Sequence, residues 1–259
     1  MDVLINVQKS AAQNASDYFD KAKKLKKKVI GTRKAISDIK KRIEGEKTIS
    51  VKQSHPKIRN IDRKQAWFEK FRWFFTSSGL LVIGGRDTHS NDIVVKQHTK
   101  TTDYVFHTEM PGSPFCVIQA EGKTVDKQSL VETAQFCATQ SRAWRMKRNP
   151  CEVMCVKGNQ LHKRGGMKAG SFAVTGKRQL YKPTLELAVG VTPDFLVMCG
   201  PLSAVKDKSK YICQLVLGDN KKEDVAKQVR NMIEKKMKLR FSIDTLLRVL
   251  PPGDSLIKQ

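Results

Sequence analysis

The sequence is short of acid. Its 259 residues hold 25 Asp and Glu against 49 Lys and Arg. It also lacks any apolar run near the ~18 residues a membrane helix needs, which excludes a helical span. No signal-peptide pattern opens it. The six cysteines, Cys116, Cys137, Cys151, Cys155, Cys199 and Cys213, form no CxxC pair. That spacing argues against a disulfide framework and a zinc site and fits a reducing compartment. Neither GxxxxGK[ST] nor GxGxxG occurs, so phosphate loops and dinucleotide folds lose their signatures. No Ser-His-Asp or Cys-His arrangement is evident, and no acidic pair recurs at metal-site spacing. Nothing in the chain demands an enzyme, a metal or a cofactor, and no internal repeat is present.

What remains is charge. A formal net charge of +24 and a pI near 9.9 are the electrostatic footprint of a nucleic-acid binder, because Lys and Arg release counterions from phosphates. A merely soluble basic protein, or one that touches acidic membranes, is the plain alternative. Aromatics make up only 7% of the chain and are sparse near the basic clusters, so base stacking is not the obvious mode.

Along the chain, residues 15–44 read as a helix. Ala22, Val29, Ile36 and Ile43 recur every seven residues, interleaved with Tyr18, Leu25, Thr32 and Ile39. This a/d seam needs a partner helix, and the other faces carry lysine. Pro56 in "SHPKIRN" breaks the pattern. A second helical pattern runs through "RKQAWFEKFRWFFTSSG", with Trp67, Phe71, Phe74 and Phe75 near one face and Gly79 as its stop. The expectation is a basic antiparallel helical arm over residues 1–66.

Residues 67–200 then read as an α+β domain with a mixed or antiparallel sheet and packed helices. "LLVIGG", "TDYVFHTEM", "PFCVIQAEG", "CEVMCVKG", "GSFAVTGK" and "LELAVGV" are strand-like, the second and third paired across "PGSP". "KQSLVETAQFCATQSRAWR" reads as one amphipathic helix. Cys151 and Cys155 share a strand face and pack inward. Residues 201–259 form a strand–helix extension, with "SKYICQLVLG" as strand, "KEDVAKQVRNMIEKKMK" as helix, and a last helix stopped at Pro251.

"LLVIGGRDTHSNDIVVK" is a strand, a glycine corner and a short helix or strand carrying Asn91 and Lys96. The glycines allow a sharp turn where another segment approaches. Two uses of Arg86 fit: a pair with Asp87 or another carboxylate, and a planar fork for a phosphate. His107 ends the "YVFH" strand in a structural or hydrogen-bonding role, not that of a catalytic base, and with Arg86, Asn91 and Lys96 it joins the candidate RNA-binding residues. The basic clusters are Arg142, Arg145, Lys147 and Arg148 beside Trp144, then His162, Lys163, Arg164 and Lys168 on a glycine-rich loop. Lys177, Arg178 and Lys182 follow. Such cations track a phosphate backbone, which points to shape recognition of structured RNA, with Trp144 packed in the core.

Several segments together resemble the NFACT-R domain: "WFEKFRWFFTSSGLLVIGGRDTHSNDIVVK", "DYVFHTEMPGSPFCVI", "LVETAQFCATQSRAW", "VKGNQLHK" and "GSFAVTGKRQLYKPTLELAVGV". "NASDYFDKAKKLKKKVIGTRKAI" looks like the coiled-coil arm of the same RqcH/NEMF family, and the tail looks like its archaeal form. Arg86, Asp87, Asn91, Lys96, His107, Ser141, Trp144, Lys177 and Arg178 keep the expected residue types. Pro111 and Gln119 stand where the family usually has His and Lys.

The resemblance implies an RNA-binding module of a cytoplasmic factor. That family binds large ribosomal subunits carrying stalled chains and recruits tRNA for template-free tailing. The NFACT-N domain and helix-hairpin-helix region expected before the arm are not in these residues. The chain therefore reads as a stand-alone half or a fragment, with a separate NFACT-N-containing chain as one expected partner. The expected RNA contacts are rRNA of the large subunit, tRNA, or both. The rival readings are a nucleic-acid-processing enzyme and a scaffold whose seam captures another helix or a second copy of the chain.

Overall fold

A computed structural model describes residues 4–48, 58–110 and 112–258, the side chains of 41–48 excepted. The Pro56 break, the return of the arm, the Ile43 side chain and Pro111 lie outside these residues. The chain divides into two compact units, Met1–His55 and Pro56–Gln259.

The first unit contains one helix, α1 (Ala11–Thr48), longer at both ends than the seam pattern indicates. Its seam is uncovered: Tyr18, Leu25, Val29, Ile36 and Ile39 are between 42% and 55% exposed. The polar seam member Thr32 donates to the Lys28 carbonyl at 2.9 Å.

The second unit runs β1 (Arg59–Asn60), β2 (Arg72–Phe75), β3 (Leu81–Gly84), α2 (Thr88–Gln97), β4 (Tyr104–Thr108) and β5 (Cys116–Gln119). Next come α3 (Lys127–Thr139), α4 (Arg142–Arg145), β6 (Val153–Lys157), β7 (Leu161–His162), β8 (Ala173–Val174) and β9 (Gln179–Tyr181). It ends with β10 (Glu186–Val191), β11 (Val197–Gly200), α5 (Leu202–Lys208), β12 (Tyr211–Asn220), α6 (Lys222–Met237), β13 (Leu239–Arg240), α7 (Ile243–Val249) and β14 (Ser255–Lys258). The class is α+β, as read from the sequence.

A six-stranded antiparallel sheet has the order β2-β3-β5-β4-β6-β9. A four-stranded antiparallel sheet has the order β11-β10-β12-β14. β11 packs on β2, and α3 lies against the large sheet. The single core joins both sheets. Phe74 of β2 meets Phe136 of α3 at 4.6 Å between ring centres, and a Cβ at Gly200 of β11 would come within 3.0 Å of its ring.

Three expectations are corrected. "RKQAWFEKFRWFFTSSG" is not a helix: a 3₁₀ turn over Trp67–Lys70 leads into β2, and Gly79 closes the β2–β3 hairpin at φ 81°. Trp73 and Phe74 are buried on opposite faces, and a strand covered on both sides shows an unbroken apolar run in place of alternation. The helix over 127–145 is broken, because the Ser141 side chain accepts from Ala143 N at 3.0 Å and starts α4 afresh. The segment after residue 200 is no separate extension. β12 and β14 complete a sheet whose other strands precede it, and β1 pairs in parallel with β13. All six cysteines are free and buried, Cys151 just ahead of β6 and Cys155 within it.

Candidate nucleic-acid interface

The corner after β3 is built around Asn91. Gly85 has no room for a side chain, since its Cβ would stand 2.0 Å from Asn91 Oδ1. That buried amide donates to the Ser113 carbonyl at 3.2 Å and accepts from Phe115 N at 3.0 Å. It thereby fixes the β4–β5 loop. Asp87 caps α2, with Ser90 N donating to it at 2.7 Å. The hydrogen bonds from Ser90 hold the exposed Asp87 carboxyl below its usual range.

Arg86 forms no pair with Asp87. Its guanidinium donates to the carbonyls of Lys70 at 3.0 Å, Phe71 at 2.8 Å, Glu69 at 3.5 Å and Arg248 at 2.8 Å. Burial, with Arg72 and Arg248 nearby, lowers its pKa to about 10. The fork is filled by backbone oxygens, which no sequence pattern marks.

α2 meets the glycine-rich loop through Asp92. That carboxylate lies 3.7 Å from Lys96 and 3.6 Å from Lys163, and it accepts from Gly170 N at 3.0 Å. Lys163 also donates to the carbonyls of Lys168 and Ser171 and covers the Phe172 ring. Half-buried His107 stacks on Phe115, ring centres 4.0 Å apart, with Nδ1 2.9 Å from the Pro114 carbonyl. Burial lowers its pKa, so the ring is neutral near pH 7. His107, Asn91 and the loop at 169–172 line a cleft of about 330 Å³.

The turn after α3 carries the other cations. Trp144 is fully buried and donates through Nε1 to the Asp254 carbonyl at 3.0 Å and Ser255 Oγ at 3.2 Å. With that anchor, Arg142, Arg145, Lys147 and Arg148 face solvent. Lys147 pairs with Asp219. Arg142 and Arg148 have no acidic partner among the described residues, and with Lys182, Glu109, Glu152 and Met146 they line a cleft of about 630 Å³.

The two clefts adjoin, because Glu109 and Met110 line both. The fold thus brings Asn91, His107, Arg142 and Arg148 to neighbouring clefts, and it brings Lys96 beside Lys163. Arg164, Lys168, Lys177 and Arg178 are exposed, the last two just ahead of edge strand β9. Arg86 belongs to none of these groups. Gln119, in the position expected to be Lys, donates to the His98 carbonyl at 2.7 Å. Sequence reasoning missed Met146, Glu109 and Glu152 as cleft residues, although a methionine amid the cations of "SRAWRMKR" was a signal; the structure leaves it 59% exposed. Trp67, expected on the apolar face of a helix, is half exposed and stacked on His98 with ring centres 5.0 Å apart. Among the described residues no helix is long and apolar enough to cross a membrane, and no group of His, Cys, Asp and Glu is placed to hold a metal.

Residues 70–176 match the family described as the NFACT protein RNA binding domain. The archaeal Rqc2 homolog aRqcH of Methanocaldococcus jannaschii is 35% identical over 203 residues, 75% of this chain and 30% of that protein. The ribosome quality control complex subunit NEMF homolog of Drosophila melanogaster is 30% identical over 73% of this chain and 19% of its own. The human subunit NEMF is 32% identical over 67% and 17%. The chain spans less than a third of the length of each of these relatives. A solved structure, the C-terminal part of the fibronectin/fibrinogen-binding protein of Streptococcus suis, covers 68% of this chain and 77% of its own at 22% identity and a TM-score of 0.39.

Proposed function

The chain belongs to the RqcH/NEMF family through its NFACT RNA-binding domain, and from that premise we propose that it binds RNA of the large ribosomal subunit or tRNA, without catalysis, in cytosolic quality control of stalled nascent chains. The observation that carries this reading is the pair of adjoining clefts rimmed by cations. Arg142 and Arg148 stand there without acidic partners among the described residues, so their charge is available to phosphate. Lys96, Lys163, Arg164 and Lys168 extend the same role over α2 and the glycine-rich loop. Lys177 and Arg178 add charge at the sheet edge. Asn91 and His107 act by shaping the loop between the clefts.

The test is a titration of the full chain against large subunits, tRNA and duplex DNA over a salt series. Each lost phosphate contact should flatten the log–log salt slope by about 0.7–0.9, so Arg142→Gln with Arg148→Gln should flatten it by about 1.5. Equal, weak affinity for all three ligands sinks ribosomal specificity, and an unchanged slope sinks the role of the two arginines.

The uncovered seam of α1 favours a second, compatible role: capture of another helix, from an NFACT-N-containing partner or a second copy of the chain. Val29→Asp with Ile36→Asp should abolish such capture and leave RNA affinity unchanged.

A further inference from the structure

We propose that the cleft of about 630 Å³ beside α4 is a pocket for one unpaired RNA nucleotide; this rests on the RNA-binding reading above. Three features of the cleft match the three parts of a nucleotide. The first is charge for a phosphate: the guanidiniums of Arg142 and Arg148 stand on its rim without acidic partners among the described residues. The second is an apolar surface for a base. Met146 is 59% exposed in a run of cations, and Met110 also lines the cleft, shared with its neighbour. Most of the Met146 side chain is left to solvent, and its polarisable sulfur favours an aromatic ring. The third is an acceptor: Glu109 is exposed, without a basic partner among the described residues, and suited to a base amino group or a ribose hydroxyl. Glu152 is already paired, 3.5 Å from Lys182.

The volume falls within the range of small-molecule sites, about 300–1,000 Å³. The rim is also pre-formed. Ser141 caps α4, Trp144 is anchored to residues 254 and 255, and the Gly253 backbone approaches so closely that a Cβ there would stand 2.9 Å from Arg145 Cα. A rigid rim loses little entropy on binding. RNA is commonly read where bases are unstacked and splayed out of a helix, which is the substrate such a pocket selects.

The test compares an RNA duplex carrying one bulged adenosine with the same duplex fully paired, using the full chain. Burying about half a base against Met146 should make the bulged RNA bind about 5-fold tighter. Met146→Ala should erase that preference while changing duplex affinity less than about 2-fold. Glu109→Ala should erase any preference for bulged adenosine over bulged uridine. Equal binding of bulged and paired RNA by the unsubstituted chain overturns the pocket and leaves the RNA-binding reading standing. So does a preference that survives in both Met146→Ala and Arg142→Gln. Binding of neither RNA overturns the underlying reading.

Discussion

Gly85→Ala adds one methyl group at a place where the structure leaves no space for it. The new Cβ would sit 2.0 Å from Asn91 Oδ1 and 2.8 Å from Asn91 N. The clash is steric, since Gly85 is not among the residues at positive φ. The side chain of Asn91 must leave, and with it go the bonds to Ser113 O and Phe115 N. Each buried group left unpaired costs about 1–3 kcal/mol, so the substitution should cost about 2–5 kcal/mol. Total stabilities are about 5–15 kcal/mol, so the loss is large on that scale.

The assay is urea unfolding in a double-mutant cycle with Asn91→Ala. That second substitution breaks the same bonds without a clash. In its background Gly85→Ala should cost less, with a coupling energy of about 1–2 kcal/mol. Relief stays partial, because the Asn91 backbone N remains 2.8 Å away. Strict additivity, or a Gly85→Ala protein as stable as its parent, refutes the reasoning.

Lys222 supplies a pH-dependent test. Burial, then Arg72, depresses its folded-state pKa to about 8 from 10.5, so below about pH 8 the native state carries the full penalty. The penalty fades as pH rises from about 8 to 10.5, because over that window the unfolded chain holds the proton and the native chain has lost it. Lys222→Met removes that penalty together with the 3.1 Å hydrogen bond to the Leu250 carbonyl, so its stability relative to the parent should fall by roughly 2 kcal/mol between pH 7 and pH 10 in urea titrations. A pH-independent difference refutes the assignment; buried Cys213, whose raised pKa acts oppositely, cancels in the comparison, and Cys199, which interacts with Lys222, is replaced by Ala in both proteins. Trp144→Phe deletes the donor to Asp254 O and Ser255 Oγ and should cost about 1–2 kcal/mol by thermal or urea unfolding, with the RNA salt slope flattened as the turn loosens. Ser141→Ala, which removes the α4 cap, should cost about 1 kcal/mol in the same measurement.

The β4–β5 pair was legible because its apolar runs flank a Pro-Gly turn, and α6 because Val225, Val229 and Ile233 keep helical spacing and are all buried. β2 was misread because burial on both faces erases the alternation that distinguishes a strand. β9 was hidden among Arg178 and Lys182, charges that suit a sheet edge. At the candidate interface the cations were visible as letters, whereas their mutual placement was not. Trp144 is held by residues 110 and 111 positions away, and the partners of Arg86 are carbonyls, which every residue has. The partners of Asn91, Ser113 O and Phe115 N, are likewise backbone.

The carbonyl cage around Arg86 has a consequence for what counts as a domain. The family match ends at residue 176, ahead of the sixth strand β9 and of the sheet that covers Phe74. Arg86, inside the match, donates to a carbonyl 162 positions later on α7. The family match therefore stops short of a contact that holds its own Arg86. A local opening that frees α7 should strip the partly buried Arg86 guanidinium of an acceptor and loosen the corner carrying Asn91. Amide protons of β3 and of α7 should then exchange in the same cooperative event, which hydrogen-exchange measurements would check.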